Sequence, residues 1–335
     1  MTDSYVHSFA AMGTVVSIRV VGHGDDPAAA AERKAAVERA AGWFSHVEAC
    51  CSRFDAQSEL RRLSETVGEP VVVSDVLFET VQFALSVSEE SGGAFDPTVG
   101  AEVEARGFDQ DYRSGATVRS AVRGESGVTY RDVILDHASR TITLARPLLL
   151  DLSAVAKGLA VDLAARELEP FANFAIDAGG DLYLAGRNDR DEAWAIGIRD
   201  PRDGHELVDR LRVSGAAVCT SGDYERPSPV GDGSHHIVDP RAATATSTAS
   251  KPKPASSEET DQTASSVTVI APSAVVADAL ATAAFVLGPV SGIELLERHG
   301  VDGLMLTASG GRFTTSGFVH ALDDRSRTTT AASRT

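Results

Sequence analysis

Strand-like and helix-like periodicities interleave along this chain without settling into a regular strand–helix–strand alternation, and that irregularity restricts the fold more than any single motif does. Thr14–Val21 predicts a strand, and Ala28 to about Cys51 carries helical spacing through Val37, Ala41, Phe44 and Val47. Ser74 or Asp75 caps a second helix that runs through Phe78, Val81, Phe83 and Leu85 to Glu90 and closes at Gly92-Gly93. Further strands are predicted at Val133–Leu135, Thr141–Leu144, Phe174–Ile176, Trp194–Ile198 and Val267–Ala271. Pro272-Ser273 opens a helix that stops at Gly288-Pro289. A doubly wound parallel sheet needs a helix between successive strands, so the pattern argues for an α+β fold. No internal repeat occurs at solenoid or propeller periods.

With 335 residues and 43% apolar side chains, the chain suffices for one large domain or two small ones. Its formal net charge of -17 would repel a phosphate backbone, which argues against a nucleic-acid partner. Cys50, Cys51 and Cys219 form neither an even disulfide framework nor the spaced pairs of a zinc site, so a reducing compartment is expected. The first residues show no basic n-region, apolar stretch or lipid-attachment cysteine, and a cytoplasmic location follows as the expectation. No apolar run approaches the ~20 residues that span a bilayer. Residues 242–265 hold no large apolar side chain and are expected to be a disordered insertion; the tail at 323–335 has the same character.

Three stretches could carry chemistry. Asp278 and Thr282 are four apart on a predicted helix, so a carboxylate and a hydroxyl share one face among small and apolar neighbours. Such a carboxylate needs a partner, and a hard cation such as magnesium held by oxygen ligands is one solution. An aspartate interacting with the helix dipole is the commoner explanation of that spacing. Asp151 to Gly158 follows the apolar run Leu148–Leu150 and precedes a helical pattern ending near Leu168; such a turn lets main-chain groups and Lys157 approach a phosphate, or else is a plain cap and a surface lysine. Asp177 to Asp181 contains Gly179-Gly180 and reads most simply as a hairpin turn. Polar clusters at Thr220–Arg226 and His235–Pro240 lie beside strand-like segments, and His236 can titrate near neutrality as a base.

In their order, these segments resemble the FAD:protein FMN transferases, the ApbE family once called thiamine-biosynthesis lipoproteins. The resemblance is carried by Met12-Gly13-Thr14, Ser52-Arg53-Phe54 with Ser58-Glu59-Leu60, and Gly93 to Gly100. It continues through Asp151 to Gly158, Gly179-Gly180-Asp181, Thr220 to Arg226, His236 to Arg241 and Ser266 to Pro289. It spans about Phe9 to Phe318.

The resemblance implies a single α+β domain over about residues 5–320, with T-fold-like mixed or antiparallel sheets flanked by helices and two lobes around an FAD cleft. It implies flavin-pocket roles for Met12, Phe54, Ala94, Phe95 and Asp96, with Asp151, Lys157, His236 and Ile237 also at the dinucleotide. It implies a magnesium ion held by the main-chain carbonyl of Ala154 and by Asp278, Ala281 and Thr282. His236 and Asp239 are then the catalytic candidates. The implied reaction moves the FMN half of FAD to a Thr or Ser hydroxyl of an acceptor protein and releases AMP. The same site with water as acceptor would make an FAD pyrophosphatase, and without chemistry a flavin carrier. The usual Asp-Pro-Arg-Thr-Gly continuation reads Asp239-Pro240-Arg241-Ala242-Ala243 here. Asp111 to Thr117 follows the D-x-x-S/T-G-A-T pattern of the family's acceptors, but so short a pattern also arises by chance, and self-modification at Thr117 is not the expectation.

Overall fold

A two-residue hairpin opens the fold: β1 (Ser4–Ala11) turns through Met12-Gly13 into β2 (Thr14–Val21). Both turn residues have positive φ, 51° and 75°, as a type I′ turn requires. The computed structural model describes residues 3–323 except 25, 121, 123, 205, 227, 232 and 242–262. The insertion and tail expected at 242–265 and 323–335 therefore lie almost entirely outside the described residues, but Ala264 and Ser265 already belong to a strand.

After β2 come α1 (Pro27–Cys51), α2 (Glu59–Ser64), β3 (Val71–Val72), α3 (Asp75–Glu90) and α4 (Gly100–Ala105). Next are β4 (Val133–Asp136), β5 (Thr141–Leu144), α5 (Ser153–Glu167), β6 (Phe174–Ala178) and β7 (Asp181–Ala185). The chain continues through β8 (Trp194–Arg199), β9 (Leu207–Val213), β10 (Ala216–Gly222) and β11 (Ala264–Ala271). It ends with α6 (Ala274–Leu287), α7 (Pro289–Arg298), β12 (Asp302–Thr307) and β13 (Arg312–Thr314). As expected, Ser74 caps α3, its hydroxyl accepting from the Leu77 N–H at 3.2 Å. The apolar run Leu148–Leu150 forms only one isolated bridge, from Leu149 to Val99, rather than a strand.

Eight strands form one sheet in the order β1-β2-β6-β7-β10-β11-β12-β13, with β3-β5-β4 and β8-β9 as smaller sheets. Every paired strand in them is antiparallel, and no described set of strands closes into a barrel. This is the expected α+β arrangement, its sheets antiparallel rather than mixed.

The pleat sorts the large sheet into two faces. Val16, Ile18, Ile176, Cys219, Val267 and Val269 face the main core, which α1, α5 and α6 complete. Leu182, Leu184, Val218, Leu304 and Leu306 face the other way and pack beneath β8 and β9 through Trp194, Ile198, Leu211 and Val213.

The crossing of α5 and α6 is unusually close. A Cβ placed on Gly158 would lie 2.5 Å from the Ala274 carbonyl oxygen and 2.6 Å from the Val275 Cα, so only glycine fits. One turn on, the Asp162 carboxylate accepts from the N–H groups of Ala274 at 2.7 Å and Val275 at 2.9 Å. It therefore caps α6 from a neighbouring helix, where Ser273 makes no side-chain cap of its own. Gly158→Ala is expected to cost about 1–3 kcal/mol through overpacking, and Asp162→Ala about 0.5–2 kcal/mol through loss of the cap. Thermal unfolding of both variants checks this; a Gly158→Ala midpoint equal to the parent's contradicts the close crossing.

Candidate active site

The N-terminal turns of α5, the loop after β10 and one face of α6 meet the β1–β2 and β6–β7 turns around a cavity of about 1030 Å³. A second cavity of about 430 Å³ adjoins it, and Gly13, Asp151, Ser153, Lys157 and Arg226 line both. The larger one alone reaches the upper end of the usual ~300–1,000 Å³ for small-molecule sites.

Most of the candidate residues converge here. Ala94, Phe95, Asp96, Ala154, His236, Ile237, Asp278 and Thr282 line the larger cavity, Met12 and Phe54 the smaller, and Asp151 and Lys157 both. Met12 holds a left-handed backbone that costs a non-glycine residue of order 1–3 kcal/mol, a strain that concentrates at functional turns. Two residues stand apart. Ala281 is fully buried in α6 and lines neither cavity, so its main-chain carbonyl is the only ligand it can offer. Asp239 also lines neither cavity. Its oxygens accept from Arg241 Nε at 2.9 Å and Nη2 at 3.0 Å, and Nη2 also donates to the Val286 carbonyl at 3.1 Å. A planar guanidinium clamps a carboxylate in this way, and here the pair ties the segment to the end of α6.

Two further aspartates serve the walls of the cleft. Asp96 accepts from the Thr98 N–H and hydroxyl at 2.9 and 2.7 Å and from the Tyr130 N–H at 2.9 Å, fixing the loop that carries Ala94 and Phe95. Burial pushes its carboxyl up against those hydrogen bonds. Asp151 accepts from Arg53 Nε and from the Ser153 N–H, both at 2.8 Å. Burial alone would raise its carboxyl, but the Arg53 charge and the Ser153 hydrogen bonds outweigh it and hold the group below the usual range. The Arg53 guanidinium lies over the Phe54 ring, 4.1 Å from its centroid, so Asp151 orients Phe54 through Arg53.

The polar centre lies between α5 and α6. Lys157 Nζ is ion-paired with the buried Asp181 and lies 3.8 Å from Asp278 Oδ2. That oxygen is itself buried and, among the described residues, accepts no hydrogen bond. Loss of water pushes the Asp278 carboxyl up, with Lys157 opposing. Thr282, one turn along, has its hydroxyl 3.1 Å from that of Ser221. Asp278 and Thr282 supply oxygen alone, with the Ala154 carbonyl at the same cavity, a set that suits a hard cation. Among the described residues no three or more His, Cys, Asp or Glu side chains gather as a metal site, so such an ion would depend on hydroxyl and carbonyl oxygens beside the Asp278 carboxylate.

Asp181, Glu225 and Arg226 were not singled out as site residues from sequence. Gly179-Gly180 does form the hairpin turn between β6 and β7, and Asp181 is simply the residue that follows it. Glu225 and Arg226 lie in the polar run after β10, which was the available signal. Glu225 opens onto the cavity, where desolvation pushes its carboxyl up and Lys157 and Arg226 pull it back.

Burial, with the Arg226 charge adding, pushes the His236 imidazole down to about 4. The ring is therefore neutral at neutral pH and able to accept a proton. Its folded value lies below the unfolded one, so its contribution to stability is complete above about 6.5 and is lost as pH falls through about 4. An NMR titration should place the His236 midpoint well below 6; a midpoint near 6.5 contradicts the buried setting.

A family model described as the ApbE family matches residues 12–305. The FAD:protein FMN transferase of Treponema pallidum is 34% identical over 318 residues, covering 88% of this chain and 82% of that protein. The FAD:protein FMN transferase of Escherichia coli K12 is 29% identical over 275 residues, covering 79% and 74%. The ApbE protein of Thermotoga maritima superposes with a TM-score of 0.78 at 28% identity, covering 96% of this chain and all of that one. The flavin transferase ApbE of Vibrio cholerae superposes with a TM-score of 0.77 at 26% identity and the same coverage.

Proposed function

The chain belongs to the ApbE family, and on that premise we propose that it is an FAD:protein FMN transferase, moving FMN from FAD to a Thr or Ser hydroxyl of an acceptor protein and releasing AMP. The observation that carries the reading is the buried Asp278 Oδ2, which accepts no hydrogen bond and faces a cleft shared with Lys157.

The flavin end is assigned to the smaller cavity, between Met12 and Phe54, with Ala94, Phe95 and Asp96 forming the adjoining wall. The diphosphate belongs where the cavities meet, beside Lys157, Arg226 and the N-terminus of α5, whose first-turn amides and positive dipole end favour an anion. Asp278, Thr282 and the carbonyls of Ala154 and Ala281 would hold magnesium, which supplies charge neutralisation at the diphosphate. Transfer joins the acceptor oxygen to the FMN-side phosphorus and breaks that phosphorus's bond to the bridging oxygen, which leaves on AMP. His236, neutral in its setting, accepts the hydroxyl proton. Lys157 and Arg226 offset charge that builds on the leaving side.

The acceptor is assigned the D-x-x-S/T-G-A-T pattern. The copy of that pattern within this chain is folded into a closed turn, with the Gly115 N–H donating to the Asp111 carbonyl at 2.7 Å and the Asp111 N–H to the Ala116 carbonyl at 2.9 Å. Thr117 lines neither cavity, which favours an acceptor on another protein.

Incubation with FAD, magnesium and a peptide bearing the pattern should yield flavinylated peptide and AMP in equal amounts. Free FMN with unmodified peptide would make the protein a hydrolase, and unchanged FAD a carrier. Asp278→Ala is expected to slow transfer at least about a hundredfold, and His236→Ala by roughly two to four orders of magnitude. Transfer by Asp278→Ala at the parent rate rejects the assigned metal site.

A further inference from the structure

The outer edge of β8 has open main-chain groups and runs along the cleft. Among the described residues, strand β8 pairs with β9 alone, Ala195 opposite Arg212 and Gly197 opposite Arg210. On the far side of β9, the Arg212 N–H donates to the Ala321 carbonyl at 2.8 Å and the Arg210 carbonyl accepts from the Asp323 N–H at 2.9 Å. Arg210 and Arg212 thus turn their main-chain groups away from β8, and in an antiparallel ladder Ala195 and Gly197 must turn theirs away from β9. Both are exposed, and no described main-chain hydrogen bond occupies them.

Exposed edges are normally blunted by charge, proline or a bulge. Trp194–Ile198 carries no charge and no proline, and its irregularity comes only at the Ile198–Arg199 end. Ala195 adds only a methyl group to that strand, and the Leu207 side chain covers Gly197 from β9. Ala195 to Arg199 also line the larger cavity, together with Lys157, His236, Asp278 and Thr282. The outer strands of the other sheets, β1, β13, β3 and β4, contribute no lining residue.

We infer that an extended segment of the acceptor protein adds to β8 as a third strand of the β8–β9 sheet, delivering its hydroxyl to the cleft. The inference rests on the transferase reading. Main-chain pairing supplies affinity with little dependence on side chains, the usual logic of strand addition. Charge sets the preference: Arg199 lines the cavity, whereas Arg212 is paired with Glu192 and Asp209 with Arg312, in a chain of net charge -17. A segment with a carboxylate near its hydroxyl is favoured over a basic one, with Arg199 at the cleft end of the strand.

Amide hydrogen exchange of the full chain is the test, with saturating FAD and magnesium and an acceptor-pattern peptide whose terminal Thr is replaced by Val so that it binds without reacting. Exchange at Ala195 and Gly197 is expected to slow at least about tenfold, while Ile196 and Ile198, bonded to β9, change little. Ala195→Pro removes an outward N–H and leaves the β9 ladder intact; it should raise the KM for the unmodified peptide about tenfold with a smaller effect on kcat. Ala195→Lys serves as the second variant should the proline version unfold. Flavinylation of the unmodified peptide without protection of the two amides, or with an unchanged KM in a folded edge variant, overturns the docking surface alone. If no peptide is flavinylated while FAD yields FMN, the transferase reading and the docking surface fall together.

Discussion

The main-chain crossing of α5 over α6 governs the site, because each helix delivers half of its polar centre. Gly158 sets the separation by having no side chain, and Asp162 sets the register by holding the first two amides of α6. Ala154 and Lys157 precede Gly158 by one turn or less, and Asp278 and Thr282 follow Ala274 by one and two turns. A shift of 1 Å at the crossing would move Lys157 relative to Asp278 by a comparable amount. The eight-stranded sheet then serves as a floor, with β10 bringing Ser221 to Thr282 and the β6–β7 turn bringing Asp181 to Lys157.

Burial weighs heavily on the charges at that centre. At about 4 Å a pair is worth roughly 4 kcal/mol at an effective dielectric of 20, while burying each ion costs several kcal/mol. Lys157 is shared between Asp181 and Asp278, and the Glu225 carboxyl opens onto the same cavity with Arg226. Burial raises the Asp278 and Glu225 carboxyls, and Lys157 and Arg226 offset that only in part. A cation beside Asp278 would offset that burial cost and free Lys157 and Arg226 to meet an anion. A chain of net charge -17 can in this way accept a phosphate-bearing ligand at one place while repelling polyanions elsewhere.

Much of the fold was legible in the sequence because hydrophobic period and caps were unambiguous there. Thr14–Val21, Thr141–Leu144 and the Ser74-capped helix fall where the pattern puts them. β9 and β13 are half exposed and charged, so their alternation resembles loop composition, and strand order is a tertiary property that no local pattern encodes. At the site, the Asp278–Thr282 face was readable from helical spacing alone. The Asp239–Arg241 pair is a contact that their spacing in sequence does not announce. Asp181 was hidden because its turn has an ordinary explanation, and its partner Lys157 lies 24 residues away.

The aspartates of the cleft divide by what satisfies them. Asp96 and Asp151 have donors on both oxygens, and both act on the walls: one pins a loop, the other orients Phe54 through Arg53. Asp278 alone among these three retains a buried oxygen with no hydrogen bond. A buried acceptor left in that state costs about 1–3 kcal/mol, more when charged, so a ligand that completed it would gain that much in binding. Lys157 at 3.8 Å gives charge without a hydrogen bond, which is too far to complete the oxygen and near enough to hold the place. The two cavities meet at Lys157 and Arg226, so a ligand with two heads joined by a diphosphate would put its most anionic atoms at that junction, beside the incomplete oxygen. On this reading the bond to be broken lies where the cavities join because that is the one place in the cleft where two cations are common to both.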